Sequence, residues 1–470
     1  MGVTLFPLLY LNPMTDIKSK FIRWSGPISL LLAAAVPSYS QVYQLQEQNF
    51  SNPDFQARFA ASYLGDSGIN PKVTPKEKIL FDEIVPLISS SPAAAIARLR
   101  QDITSESSAA FDFILGNLLY QDGKAGESGR HYDAAIKKFP NYFQAYYNAG
   151  RAQVADGDYR AALGYLQKTL AISQGDGSLY GLIGYCYLNL DKPSTALDAY
   201  RVAIMLAPDS RDWKLGKLQC HIALAQSVDA IGILYEFIQD DPENADWWKL
   251  QANQFVARGE VAKAAANLMV VKDMGKSDGP ALTLLGDLFL NEGLIQASME
   301  SYLAAMDSSG TNPRRLLEVT NSLVQMDEIA SAKTLLGRFE SKLRGEISEA
   351  QELEVINLKA RLAMIDDDKD AAADYLAEVV KRDPMNGNAL LTLGELERSR
   401  GDVAKAEFYV ESASKLDAFA HRALLMLAQI KVSQADYKIA AQHLRRAQQI
   451  DPRDYVADYL MRIEEAALRM

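Results

Sequence analysis

The sequence predicts an all-α solenoid of stacked helix-turn-helix units, and three periodic columns predict it. Alanine or serine recurs every 34 residues at Ala162, Ala196, Ala230, Ala264, Ser298 and Ala332. Gly116, Gly150 and Gly184 keep the same period, and Gly286 lies three periods further on. Pro208 and Pro242 are one period apart, with Pro140 two periods before Pro208. Small or rigid residue types holding one period mean one helical unit copied many times. Such an array grows by stacking units rather than by enlarging one core.

The elements follow in order. Lys18, Lys20 and Arg23 precede an apolar stretch at 28–36, and Ser38-Tyr39-Ser40 then offers small residues two apart. That is the layout of a secretory signal over residues 1–40, cleaved after Ser40. Residues 1–13 do not fit a signal's basic start, so Met14 is an alternative initiator. The uninterrupted run at 24–36 is 13 residues long and contains Pro27, against the roughly 20 that a spanning helix needs. A short retained anchor is the alternative to cleavage; with cleavage, no stable membrane span is expected. The expected location is therefore the periplasm or the outer envelope.

Residues 41–74 read as a Gln-rich, then Pro/Gly/Asn-marked linker with one short helical candidate at 54–64. A degenerate helix pair is expected at 75–108. Pairs then begin near 109, 143, 177, 211, 245, 279 and 313, each with apolar residues at helical spacing. Polar breaks such as Asp122-Gly123, Asp156-Gly157 and Arg258-Gly259 separate the two helices of a pair. After 109–342 the alanine column steps by 40, from Ala332 to Ala372. Six extra residues thus enter near 343–352, as a longer loop or a hinge. The period resumes over 353–454 through Ala372, Ala406 and Ala440. Residues 455–470 form a last helix whose Arg462, Glu464, Glu465 and Arg469 suit a solvated cap.

Composition narrows function mainly by exclusion. Net charge is −11; the first 40 residues carry +2, so a chain without them carries −13. An acidic body lacks the footprint that phosphate backbones require, so nucleic acid is not an expected partner. Cys186 and Cys220 are one period apart, which places them on stacked helices about 8–10 Å apart. A disulfide needs its Cα atoms within about 7 Å, so two buried free thiols are expected. His131, His221, His421 and His443 show no metal-ligand spacing, and His131 and His443 share one repeat position expected at the surface. No phosphate-cradling glycine loop, G-x-S-x-G elbow or H-E-x-x-H occurs. No catalytic residue, metal or cofactor is predicted.

In register, the units resemble the tetratricopeptide repeat. The unit at 177–210 carries Tyr180, Ile183-Gly184, Tyr187, Ala196, Tyr200, Ala203 and Pro208. The unit at 109–142 carries Leu115-Gly116, Ser128, Tyr132, Ala135 and Pro140. Others depart from the pattern, with Lys217-Leu218 for Leu-Gly and Lys276 for proline. Gly184 and Ala196 would let paired helices approach closely, and Tyr200 would fill the space against the next unit. The resemblance implies a right-handed superhelix whose first helices line a concave groove. It also implies binding of a protein or peptide without catalysis, although fold alone names no ligand.

One position of the first helices is polar throughout: Asn117, Arg151, Tyr185, Gln219, Asn253, Asp287, Asn321, Arg361, Glu395 and Gln429. The resemblance places it in the groove. An amide offers donor and acceptor together, which suits the main chain of an extended peptide. Asn148 extends that ladder, and Phe113, Tyr120, Tyr147 and Tyr185 would supply an aromatic patch beside Arg151. Aromatic rings and arginine are enriched at binding hot spots.

Some relatives in this family clamp a peptide's terminal carboxylate with lysine, asparagine and arginine. Asn117 and Asn148 match those asparagines, but Phe113, Ser178 and Leu182 replace the basic residues. Lys249 and Asn253 repeat a Lys–Asn pairing in a later unit. The expected function is a protein-binding scaffold of the cell envelope. The alternative is an accessory role in envelope polysaccharide export or cell-wall assembly, which exposed Trp213 and Trp247 rings would favour. Trp248 is expected at the bulky core position.

Overall fold

The computed structural model describes residues 70–468 except Arg344 and Glu346; the expected signal sequence and most of the linker lie outside these residues. Among the described residues are 23 α-helices and no strand. The chain divides into two compact units, Met1–Gln226 and Ser227–Met470. In the first lie α1 (Lys78–Ser90), α2 (Pro92–Asp102), α3 (Ala109–Gln121), α4 (Ala125–Lys138) and α5 (Phe143–Ala155). There follow α6 (Tyr159–Ile172), α7 (Gly177–Asn189), α8 (Pro193–Leu206) and α9 (Arg211–Ala223).

The second unit begins with α10 (Ser227–Asp240), α11 (Ala245–Ala257), α12 (Val261–Asp273) and α13 (Gly279–Asn291). It continues with α14 (Ile295–Ala305), α15 (Pro313–Gln325), α16 (Ile329–Leu343), α17 (Glu349–Ile365) and α18 (Lys369–Arg382). It closes with α19 (Gly387–Ser399), α20 (Val403–Ser414), α21 (Asp417–Ser433), α22 (Tyr437–Ile450) and α23 (Asp454–Leu468). Consecutive helices pair, and the boundary at Gln226 falls within a sequence repeat, while the period break lies inside the second unit.

Each periodic column has a packing cause. From Ala162 to Ala440, every alanine of the column and Ser298 is 0% exposed. Only a small side chain lets two helix backbones meet there at interior packing density. Tyr200 shows what the glycines do. A Cβ on Gly184 would lie 3.1 Å from the Tyr200 ring, and one on Gly216 would lie 2.2 Å from it. The ring is therefore held between glycines of its own repeat and the next. Tyr132 against Gly116 and Tyr302 against Gly286 repeat the contact within a repeat.

The turns obey the same period. The backbone is left-handed at 123, 157, 191, 225, 259, 293, 327, 367, 401 and 435, one residue per repeat. A helix that ends on such a residue satisfies its last carbonyls and reverses direction at once. Glycine holds five of these places; Asp191, Ala225, Asp327, Asp367 and Ala435 hold the others against a steric penalty. Proline terminates second helices: Pro140, Pro208, Pro242, Pro384 and Pro452 each sit two residues beyond the last helical residue.

At the period break, much of the added length is helical. The first helix there, α17, has 17 residues against 13 in α3, α5 and α7. Ser348 and Gln351 start it with a reciprocal capping box. At the array's end, α23 buries only Val456 and Ile463, and Arg445 holds it through a 2.9 Å bond to Glu464. Cys186 and Cys220 are free and buried, and burial pushes both thiols up to about 12. No helix among the described residues is long and apolar enough to cross a membrane.

Candidate functional site

In the first unit, consecutive first helices touch one another: α3 with α5, α5 with α7, and α7 with α9. Helical spacing puts Gln144, Tyr147, Asn148 and Arg151 of α5 on one face. The Arg151 guanidinium stands over the Tyr147 ring, 5.6 Å from its centroid. No carboxylate among the described residues lies within ion-pairing distance of Arg151. Burial pushes the Tyr120 and Tyr147 hydroxyls above their usual range, and Arg151 opposes that shift in both. Both rings stay half-buried and keep protons to donate.

The asparagines serve each other. Asn117 Oδ1 accepts from the Tyr132 hydroxyl at 2.9 Å and from Asn148 Nδ2 at 2.7 Å. Asn148 is 8% exposed. The amide's acceptor is thus spent inside the fold, and its own Nδ2 is buried without a partner. In the second unit, Asp287 takes Asn117's place and the Tyr302 hydroxyl donates to it at 2.8 Å. Arg315 pairs with Asp287 at 3.0 Å, yet burial still lifts that carboxyl above its usual range. Asn321 accepts from Arg361. Much of the polar column is therefore a strut between helices, with adjacent repeats bonded to each other through it.

Several expected site residues move accordingly. Phe113 is a core residue, not a groove residue: it is 4% exposed, with its ring 4.9 Å from that of Tyr142. Tyr185 is half-buried and set edge-on to Tyr159, 5.9 Å between centroids. Gln219 and Asn253 are half-buried and make no side-chain hydrogen bond among the described residues. Lys249 is committed to Asp246 at 3.0 Å and Asp278 at 3.2 Å. Lys249 and Asn253 also belong to the second unit, apart from the rest of the set.

The tryptophans differ from expectation at Trp248 and leave the alternative function without exposed rings at Trp213 and Trp247. Trp213 and Trp247 are 6% and 3% exposed, and Trp247 stacks on Phe237 at 5.0 Å. Trp248, expected in the core, is half-buried and donates to the Pro242 carbonyl. His131 and His443 are half-buried rather than surface residues, and burial holds His443 below its usual range. No cluster that could hold a metal ion occurs among the described residues.

Where the period breaks, α16, α17 and α18 enclose a cavity of about 200 Å³. Phe339, Ile347, Val355, Ile356 and Tyr375 give it an apolar lining. Lys359, paired with Glu340, and Arg382, paired with Glu352, stand at its edge. The residue columns do not foretell this cavity; the six-residue step in the alanine column is its only sign in the sequence.

Models of the tetratricopeptide repeat match residues 113–177, 147–212 and 357–415, and a second model of that repeat matches 421–454. Cellulose synthase 1 operon protein C of Komagataeibacter xylinus is 23% identical over 236 residues, or 47% of this chain. The match takes in 17% of that relative, so this chain spans under a fifth of its length. Among solved structures, YrrB, a repeat protein of this kind with an unusual peptide-binding site, aligns at 21% identity with a TM-score of 0.36. The alignment covers 41% of this chain and 96% of that one. A tetratricopeptide repeat protein from Parabacteroides merdae aligns at 16% identity and a TM-score of 0.36, covering 56% and 98%. At these scores neither alignment carries a ligand to this chain.

Proposed function

We propose that this tetratricopeptide-repeat protein is a non-catalytic scaffold of the cell envelope, holding an extended segment of a partner protein against the first helices of its first unit. The observation that carries this reading is Arg151. It is a half-buried cation backed by a tyrosine ring and in no ion pair among the described residues. A guanidinium so placed offers several donors in a fixed plane. Tyr120 and Tyr147 add rigid amphipathic surface beside it, at low entropic cost. The amides Asn117 and Asn148 contribute by fixing α3 against α5, so the face is formed before a partner arrives.

The test is affinity capture from envelope extract with the full chain beside the Tyr147→Ala/Arg151→Ala variant. A protein retained by the first and lost by the second, at equal thermal stability, is the expected result. Capture of the same set by both would remove the face from the account.

The second reading is an accessory role in polysaccharide export or cell-wall assembly. The similarity to a cellulose synthase operon protein favours it; the buried Trp213 and Trp247 give it no stacking surface. Titration with soluble cello-oligosaccharides separates the two, since saturable binding requires the second reading. Export itself rests on the N-terminal pattern alone.

A further inference from the structure

The cavity at the period break has a counterpart that is filled. Phe237 and Phe339 hold the same position of their second helices, three periods apart. Trp247 and Val355 hold the same position of the first helices that follow, each 17 residues before the alanine of its column, Ala264 and Ala372. At the earlier place the Trp247 indole stacks on Phe237, 5.0 Å between centroids, and both rings are buried. At the later place Phe339 and Val355 line a cavity of about 200 Å³. An indole closes the joint between helices in one repeat, and a valine leaves it open in the other.

We propose that this cavity receives one uncharged aromatic side chain, of tryptophan size, presented by a partner protein. The size agrees. An apolar cavity of about 150 Å³ takes up benzene, so this one has room for a somewhat larger ring and little else. The lining agrees too. Ile347, Val355 and Ile356 offer a ring dispersion contacts, and Phe339 and Tyr375 offer aromatic pairing.

Charge sets the rest. All five charged residues of the lining are already paired. Lys359 holds Glu340 at 3.0 Å and stands 5.0 Å from the Tyr375 ring centroid. Arg382 holds Glu352 and Glu378, each at 2.7 Å, and Lys381 approaches Glu378 at 3.8 Å. A charged ligand would have to break one of these pairs or be desolvated without a partner, and a neutral ring enters without either cost. A paired carboxylate still has lone pairs to accept with. Glu340, Glu352 and Glu378 can therefore take N–H groups of the main chain that carries the ring. The site lies wholly in the second unit and does not depend on the face around Arg151.

Indole and N-acetyl-tryptophan amide are the probes, titrated into the full chain with isoleucine and valine methyl groups labelled for magnetic resonance. Saturable shifts at Ile347, Val355 and Ile356 are the expected result, with Ile84 and Ile430, buried elsewhere in the chain, unmoved. No shift, or shifts spread over every core, overturns the proposal. The amide should bind at least as tightly as indole; indole bound with the amide excluded would assign a free small aromatic and overturn the side chain. Tryptamine and N-acetyl-tryptophan carry the same ring with a positive or a negative charge. Each should bind about two- to fivefold more weakly than the amide, the worth of one exposed ion pair. A charged ring bound as well as the neutral one overturns the ligand class. Val355→Trp sets the chain's own indole in the cavity, as at Trp247, and should abolish the shifts at Ile347 and Ile356. Val355→Phe, a smaller filling should the tryptophan not fold, should weaken them. Unchanged affinity in either folded variant overturns the site.

Discussion

At the scale of the residue, size decides more than polarity. Ala196 is fully buried where α8 meets its neighbours, so a larger side chain would have to displace them. Ala196→Leu is expected to cost about 1–3 kcal/mol, the usual penalty for overpacking a helix contact. Thermal unfolding checks it, and a midpoint equal to wild type would show the register to be misplaced. The same column logic read from sequence found the alanine column, every member of which is buried, because a backbone approach tolerates only small residues there. It did not settle the amides. Asn117 is polar whether it faces a ligand or bonds to Tyr132 and Asn148, and residue type alone does not distinguish these. Phe113 failed for a related reason: helical spacing places it near the face, and only the rotation of α3 settles that it points inward.

At the scale of the element, the turn between paired helices repeats one backbone solution ten times over. Where glycine supplies it, as at Gly123 or Gly401, the left-handed conformation is unstrained. Ala435 adopts it at φ 62°, and an L-residue there carries a penalty of roughly 1–2 kcal/mol. Ala435→Gly should therefore raise stability by up to about 1 kcal/mol, after the entropy that glycine returns to the unfolded chain. Chemical denaturation measures the shift; a destabilised variant would mean that the methyl group packs better than its exposure indicates. The turns were legible where Asp-Gly or Arg-Gly marked them. At Ala225 and Ala435 only the period marked them, because no local residue preference asks for that backbone.

At the scale of the molecule, stability in a repeat array is a sum over neighbours, and an end has one neighbour fewer. The last helix, α23, buries two side chains, whereas α7 buries seven residues. Backbone amides of α23 should exchange with solvent well before those of α7, and mass-resolved hydrogen exchange would register it. Equal protection would require a contact on the outer side of α23.

The sequence by itself determined the class, the period, the turns and the break near 343–352. Each is a local geometric demand written again in every copy: a small residue at a contact, a proline after a helix, a left-handed turn. Tertiary structure alone decided which polar groups are spent on neighbouring helices and which are left over. That choice turns on how each helix is rotated and what the next one presents to it. Asn117 and Arg151 share one register position, yet the first is consumed by Tyr132 and Asn148 while the second stands over the Tyr147 ring and enters no ion pair among the described residues.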